Sequence, residues 1–354
     1  MVPIFLASTT PYSGKTLIAL GLALKLREQG FSVGYIKPLG TTPMMVGKDL
    51  YDADAVFIKE ALELTEPLST VSPFVLDYET QTRIFTGQAP DAKARVLAAF
   101  RSLKAKDFIL LGGPASLFEG GLLGINVLSL MTALNARVLM IEPWVGELTA
   151  DTLLGMRKFM GKRFLGGVIN KVSPAAAGYV SETVRPFLEK AGVKVFGVFP
   201  RDKFLGSISI RQITDLLHGK VLCCENGLDE FIENFSIGAM DVDSALSYFR
   251  RTPNKAVITG AHRSDIQLAA LETSTRCIIL TGGLSTNDVV IGKAQMKGVP
   301  IISVADDTFT TIDRIEATIG RTRIREKAKL DRAKEIMDIE FDLQRFLKAA
   351  ARRS

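Results

Sequence analysis

Ser8-Thr9-Thr10-Pro11-Tyr12-Ser13-Gly14-Lys15-Thr16 lies between the short apolar run Ile4-Phe5-Leu6-Ala7 and a helical pattern running from Leu17 to Leu26. Strand, small-residue loop and helix in that order, with Gly-Lys-Thr opening the helix, read as the end of a phosphate-binding P-loop. A helix N-terminus carries unpaired N–H groups and a partial positive charge, so it attracts phosphate. Lys15 is placed to reach the β/γ-phosphates and the Thr16 hydroxyl to bind Mg²⁺. The candidate nucleotide contacts are Ser8, Thr9, Thr10, Ser13, Gly14, Lys15 and Thr16. The spacing departs from G-x-x-x-x-G-K-[ST], which calls for glycine where Thr9 stands, or at Ser8 one place earlier. Glycine suits such loops because it accepts positive φ and lets the backbone approach a ligand. An ordinary strand–loop–helix with a chance Gly-Lys-Thr is the bland reading. It is disfavoured because all three elements fall where the motif needs them.

At 354 residues the chain is long for one core, and two domains are expected. Composition is that of a globular protein, 47% hydrophobic and 23% charged. No apolar stretch reaches membrane-spanning length, and no secretory pattern precedes the first strand, so a cytoplasmic location and no membrane partner are expected. Cys223, Cys224 and Cys277 lack C-x-x-C spacing, and with two histidines in all, a zinc site is not expected. The formal charge of +6 is concentrated in residues 321–354, which hold eleven Lys/Arg and six Asp/Glu. Mixed charge of that kind reads as a solvated helix face, so nucleic acid is not an expected partner.

Residues 1–200 alternate strands and helices, the pattern of a mostly parallel sheet covered on both faces. Strands are expected at Ile4–Ala7, Ser32–Ile36, Phe108–Leu111, Arg137–Ile141, Leu165–Ile169 and Val195–Val198, and helices over 15–29, 51–63, 91–105, 151–162 and 178–191. A second α/β unit begins near Phe204, with strands at Lys220–Cys224, Ala256–Thr259, Arg276–Leu280 and Pro300–Val304. The expected division is 1–203, 204–318 and a C-terminal helix over 319–354. That helix carries apolar positions at Ile324, Leu330, Ile336, Phe341 and Leu347 and is expected to dock on the second module or across a dimer.

Further features line up with the loop: Tyr35-Ile36-Lys37-Pro38 at a strand end, Asp54-Ala55 opening a helix, Ser72-Pro73, Val168-Ile169-Asn170-Lys171-Val172, and Gly197-Val198-Phe199-Pro200. Together they resemble the dethiobiotin synthetase fold, a branch of the P-loop NTPases, over roughly residues 2–202. That family's loop has one extra residue, which makes Ser8 the counterpart of its first glycine. The resemblance implies ATP with Mg²⁺ as ligand and cofactor. It implies that Lys15 and Lys37 are the candidate catalytic cations, that Thr16 and Asp54 lie at the metal, and that Asn170 hydrogen-bonds the base. Each of these also has a purely structural reading. Lys37 can be a strand-end lysine, Asp54 a dipole-favoured first-turn residue and Asn170 a turn former. The family carries an acidic residue in a V-E-G-type turn after the third strand. Here the turn reads Leu110-Leu111-Gly112-Gly113-Pro114, with Leu111 at the acidic position and Glu119 or Glu142 as the candidates to compensate. Phosphoryl transfer depends on neutralising developing charge, so the expectation is binding with weak turnover.

In the second unit, Ile258-Thr259-Gly260-Ala261-His262-Arg263-Ser264-Asp265, then Thr281-Gly282-Gly283, then Asp306-Asp307-Thr308 resemble the DRTGG domain over about 206–316. His262-Arg263 stands where Asp-Arg is usual. The resemblance implies a regulatory module that binds nucleotide-like ligands or mediates dimerisation. Its expected ligand site comprises Arg263, Asp265, Thr281, Gly282, Gly283, Asp307 and Thr308, with helix capping the alternative for the last two. The two resemblances in tandem are similar to the N-terminal, regulatory half of long-form bacterial phosphate acetyltransferase, without its acyltransferase domain.

Three functions follow from these readings. The first is a purine-nucleotide-binding regulatory protein, possessing a metabolite effector site and assembling as a homo-oligomer, a dimer by default. The second is an ATP-dependent synthetase like dethiobiotin synthetase. The third is a structural partner with a degenerate P-loop.

Overall fold

The computed structural model describes residues 1–319 and 327–351. The chain forms two compact α/β units. One comprises Met1–Arg201 together with the C-terminal helices, and the other starts at Asp202 and takes in the helix Thr308–Ile319.

The first unit holds strands β1 (Val2–Ala7), β2 (Val33–Ile36), β3 (Pro43–Val46), β4 (Asp49–Asp52), β5 (Phe108–Gly112), β6 (Arg137–Pro143), β7 (Phe164–Val172) and β8 (Val195–Pro200). Six of them form one parallel sheet in the order β2-β5-β1-β6-β7-β8. Their runs are buried on both faces, as a sheet covered by helices on each side requires. Alternate residues Phe5, Ala7, Ile109, Leu111, Val138 and Met140 enter one continuous apolar cluster. The remaining pair, β3 and β4, is an antiparallel hairpin that the residue pattern did not announce. The helix expected over 51–63 starts only at Ala53, because Asp52 serves as its N-cap.

Strand β1 is central. Phe5 pairs with Leu111 of β5 on one side, and Ala7 with Met140 of β6 on the other. The loop that follows β1 therefore emerges between the ends of both neighbours, at the C-terminal edge where open α/β sheets bind ligands.

The second unit contains β9 (Ile208–Ser209), β10 (Lys220–Cys223), β11 (Phe231–Ile232), β12 (Asn234–Ile237), β13 (Lys255–Gly260), β14 (Thr275–Thr281) and β15 (Ile301–Ser303). A five-stranded sheet runs β10-β15-β14-β13-β12, with β10 antiparallel to β15 and the other pairs parallel. Val257, Ile278 and Leu280 face one apolar cluster, while Ala256, Ile258 and Ile279 face another, following the two-residue period of a strand. Strands β11 and β12 fall in a stretch of mixed polarity that gave no strand signal.

The tail corrects an expectation. It is helical, but in two pieces, Lys327–Glu340 and Leu343–Ala351, and it packs on the first unit. Ile324, one of the expected stripe positions, lies outside the described residues. The break has a local cause: Phe341 bridges to Gly197, the Asp342 N–H donates to the Phe196 carbonyl at 2.8 Å, and the Asp342 carboxylate caps the second helix at Arg345 N. Gly197 has no room for a Cβ, which would stand 2.7 Å from the Glu340 carbonyl. Phe196, Phe341 and Phe346 form an aromatic cluster with centroids 5.6–6.2 Å apart. The helix Lys327–Glu340 also lies on the helix Lys15–Glu28, where Gly21 admits Met337, and Lys25–Asp338 and Lys334–Glu28 form ion pairs.

Phe346 is fully buried. Phe346→Ala is expected to lower stability by about 3–5 kcal/mol in urea denaturation. A chain ending at Thr318 is expected to lose more, since it uncovers Phe196 and one face of the helix Lys15–Glu28.

Candidate functional site: a phosphate loop held from two strands

The loop Ser8–Ser13 is shaped by side chains rather than by glycines at its start. The Ser8 hydroxyl accepts from Thr10 N at 3.1 Å. Thr9 donates its N–H to Glu142 Oε1 at 2.7 Å and its hydroxyl to Glu142 Oε2 at 3.0 Å. Glu142 lies near the end of β6 and is almost wholly buried. Burial raises its pKa, opposed by the hydrogen bonds from Thr9 and by the Lys15 charge. Positive φ occurs at Tyr12 and Gly14, and at neither Ser8 nor Thr9, so the backbone does not need glycine at those two places.

Gly14 is required twice over. Its φ is +94°, and a Cβ there would stand 2.3 Å from Asn170 Nδ2. Asn170, in β7, donates that amide to the Ser13 carbonyl at 2.7 Å, and its Oδ1 accepts from Lys171 N at 2.8 Å. The structure thus engages Asn170 with the loop.

The helix Lys15–Glu28 begins at Gly14 with no side-chain cap and no acidic residue in its first turn, whereas Asp52, Asp91 and Asn126 cap other helices of this unit. Its first N–H groups, including those of Lys15 and Thr16, have no partner within the helix. Lys15 Nζ folds back to the Thr10 carbonyl at 3.4 Å and the Ser13 hydroxyl at 3.3 Å. Burial is the largest influence on this ammonium and pushes its pKa down to about 8; Glu142, Glu119 and Asp54 pull it up, and Lys37 pushes it further down. Two cations and three carboxylates therefore act on one another around the loop.

Lys37 is buried between Asp52 and Asp54, with both contacts at 2.8 Å. Burial alone would lower its pKa, but the two carboxylates outweigh that and hold it above the usual lysine value. Sequence reasoning missed Asp52. Its fully buried carboxylate accepts from the backbone N–H groups of Thr41, Thr42, Asp54 and Ala55, and its own N–H donates to Ser72 Oγ. The cue was present as an Asp-Ala-Asp-Ala helix start, in which Asp52 rather than Asp54 is the cap.

Leu111 does not face the loop. It is fully buried in the apolar cluster with Phe5 and Ile36, so the position aligned with an acidic residue belongs to the core. After it, Gly112 and Gly113 leave no space for side chains: a Cβ would stand 2.2 Å from the Tyr35 hydroxyl oxygen and 2.6 Å from the Leu6 carbonyl, respectively. Of the proposed substitutes, Glu142 is spent on Thr9, and Glu119 accepts from Ala115 N at 2.7 Å. Among the described residues no cluster of three or more His, Cys, Asp or Glu could hold a metal. No helix is long and apolar enough to cross a membrane among those residues either.

In the second unit the expected site residues do gather, at the C-terminal ends of β13 and β14, but their polar groups serve one another. Arg263 pairs with Asp265 through two 3.0 Å contacts and donates to the Met240 carbonyl. Thr281 and Thr308 share a 2.8 Å hydroxyl–hydroxyl bond. The N–H groups of Gly282 and Gly283 donate to the Asp306 and Val304 carbonyls. Asp307 caps the helix Thr308–Ile319 through Thr310. Gln267, which sequence reasoning passed over, is fully buried and bonds the Gly260 and Ala261 carbonyls and the Thr286 hydroxyl. A lone amide in the apolar run Ile266–Leu271 was the available signal.

With this geometry in view, family models match both units. Residues 3–209 match the AAA domain and residues 212–318 the DRTGG domain. The chain belongs to the AAA-domain family. Phosphate acetyltransferase of Synechocystis is 25% identical over 332 residues, covering 88% of this chain and 46% of that enzyme. Its counterpart in Pseudomonas aeruginosa is 23% identical over 367 residues, covering 96% and 51%. The ATP-dependent dethiobiotin synthetase of Nitrosopumilus maritimus is 26% identical over 220 residues, covering 60% of this chain and 95% of the synthetase. The chain spans about half the length of the phosphate acetyltransferases it matches. It is thus a P-loop NTPase-like domain joined to a DRTGG domain, related to both groups of enzymes.

Leu111→Glu is expected to destabilise the first unit by at least about 3 kcal/mol, because it removes apolar packing and buries a carboxylate. Denaturant unfolding checks this. The same variant should gain no Mg²⁺ affinity.

Proposed function

We propose that the chain is a nucleotide-binding regulatory protein, related to the N-terminal half of phosphate acetyltransferase, whose P-loop holds the phosphates of ATP or another purine nucleotide with Mg²⁺. The observation that carries this reading is the helix N-terminus at Gly14, uncapped by any side chain and framed by Lys15 and Thr16. Mg²⁺ keeps most of its waters and takes one or two protein oxygens beside the phosphates, so it does not need a protein cage. Thr16, with Asp54 or Glu119 nearby, would hold it, and it would neutralise phosphate charge. The second unit is the proposed effector-binding, regulatory part, and a homodimer is the proposed assembly. Light scattering at tens of micromolar tests the latter, and a monomer there would exclude it.

Phosphoryl transfer of the dethiobiotin synthetase kind is the second reading. The charge of Lys37 at the loop favours it. Asp52 and Asp54 weigh against it, since they already neutralise that lysine. Robust synthetase turnover on a diamino acid would reverse the order of the two readings.

Calorimetry with a nucleotide panel is the direct test. Lys15→Ala should weaken nucleotide binding by roughly tenfold to a hundredfold, the worth of a charge-assisted bond at about 1.5–3 kcal/mol. Absence of binding by the unmodified protein at millimolar nucleotide would overturn the reading. Affinity should also depend on pH with a fixed sign. Lys15 is charged below its pKa of about 8 and neutral above it. Binding should therefore hold steady in mildly acid and neutral solution and weaken above pH 8, by up to about tenfold per unit for one proton.

A further inference from the structure

The chain has a single tryptophan, and it stands beside the phosphate loop. Trp144 directly follows β6, two residues beyond Glu142, and its backbone N–H donates to the Asn170 carbonyl at 2.7 Å. Its side chain is partly buried against the apolar cluster of the first unit. Tyr179 approaches it edge-on, with ring centroids 6.3 Å apart and planes at 63°, while staying 53% exposed. Asn170 joins this aromatic pair to the loop: its carbonyl holds Trp144, and its side-chain amide holds Ser13 above Gly14. A half-buried ring anchored on the core beside an exposed ring is a rigid apolar surface with a wet edge.

We infer that Trp144 and Tyr179 form the platform on which the base of a bound nucleotide stacks when its phosphates occupy the loop. This rests on the phosphate-loop reading and adds to it how the rest of the ligand is recognised. Asn170 spends one amide N–H on Ser13 and one oxygen lone pair on Lys171, so at most one further donor and one further acceptor remain for a base edge. Stacking on the aromatic pair supplies the larger share of base recognition, and every base offers a π-face, so the site separates nucleotides from bare polyphosphate more strongly than it separates one purine from another.

The lone tryptophan makes the test direct. The full chain is titrated with ATP, GTP and inorganic tripolyphosphate, each with Mg²⁺, and followed by Trp144 fluorescence and by calorimetry. ATP and GTP should both change the emission, with affinities within about threefold of each other, and tripolyphosphate should bind about tenfold more weakly or less and leave the emission unchanged. Tyr179→Ala, at an exposed position, should weaken ATP by about tenfold and leave tripolyphosphate unaffected, with Tyr179→Phe restoring the affinity. ATP binding without any change in Trp144 emission, or ATP affinity indifferent to Tyr179→Ala, would overturn the inference and leave the loop reading standing. Failure of both ATP and tripolyphosphate to bind would overturn the loop reading, and this one with it.

Discussion

The carboxylate of Glu142 takes both the amide and the hydroxyl of Thr9, and the remaining site geometry follows from how firmly that contact holds the loop. A phosphate loop must keep several N–H groups turned inward against their mutual repulsion. Loops rich in glycine reach that shape through backbone freedom, and here hydrogen bonds from two neighbouring strands impose it. Strand β6 grips the beginning of the loop through Glu142, and β7 grips its end through Asn170. Both strands adjoin or nearly adjoin β1 in the sheet order, so their ends reach the loop with no long connection. Burial makes the Glu142 contact both strong and costly: a carboxylate removed from water is tolerable only while fully hydrogen-bonded.

The second buried charge system, Lys37 with Asp52 and Asp54, follows the same logic. Asp52 accepts four backbone N–H groups and a lysine, which repays its desolvation and ties the loop after β2 to the helix Ala53–Ala61. Tyr35 lies close by, fully buried, and its hydroxyl is pushed well above its usual pKa by burial and then by the two aspartates. Removing either partner of such a group leaves an uncompensated charge, so these residues are bound together structurally whatever ligand the loop accepts. The core position of Leu111 fits this picture. The carboxylates at the loop come from β6, from the start of a helix and from the segment after β5, and none replaces a core side chain.

Much of this was legible from residue order. The parallel sheet, the loop and the helix Lys15–Glu28 announced themselves, because apolar runs of strand length alternate with helical periodicity and Gly-Lys-Thr falls at the junction. Gly14 was legible too, since no other residue suits a left-handed helix start pressed against another side chain. The hairpin β3–β4 and strand β12 were hidden because both lie in stretches of mixed polarity without clean alternation. The division of the tail into two helices was also hidden, because its break depends on Phe341 and Asp342 meeting Gly197 and Phe196, more than 140 residues earlier in the chain.

By itself the sequence determined the fold class, the order of elements and the phosphate loop, all of which rest on local periodicity and on short motifs whose chemistry is carried by adjacent residues. Tertiary structure alone decided which side chains complete the site. It assigned Glu142 to the loop clamp, Asp52 to Lys37, Asn170 to Ser13 and Leu111 to the core, and it closed the glycine amides of the second unit with backbone carbonyls. Each of those outcomes depends on which strand ends lie side by side. Neighbours in a parallel sheet are set by crossover connections and by burial of both faces, and neither is written in the spacing of the residues concerned.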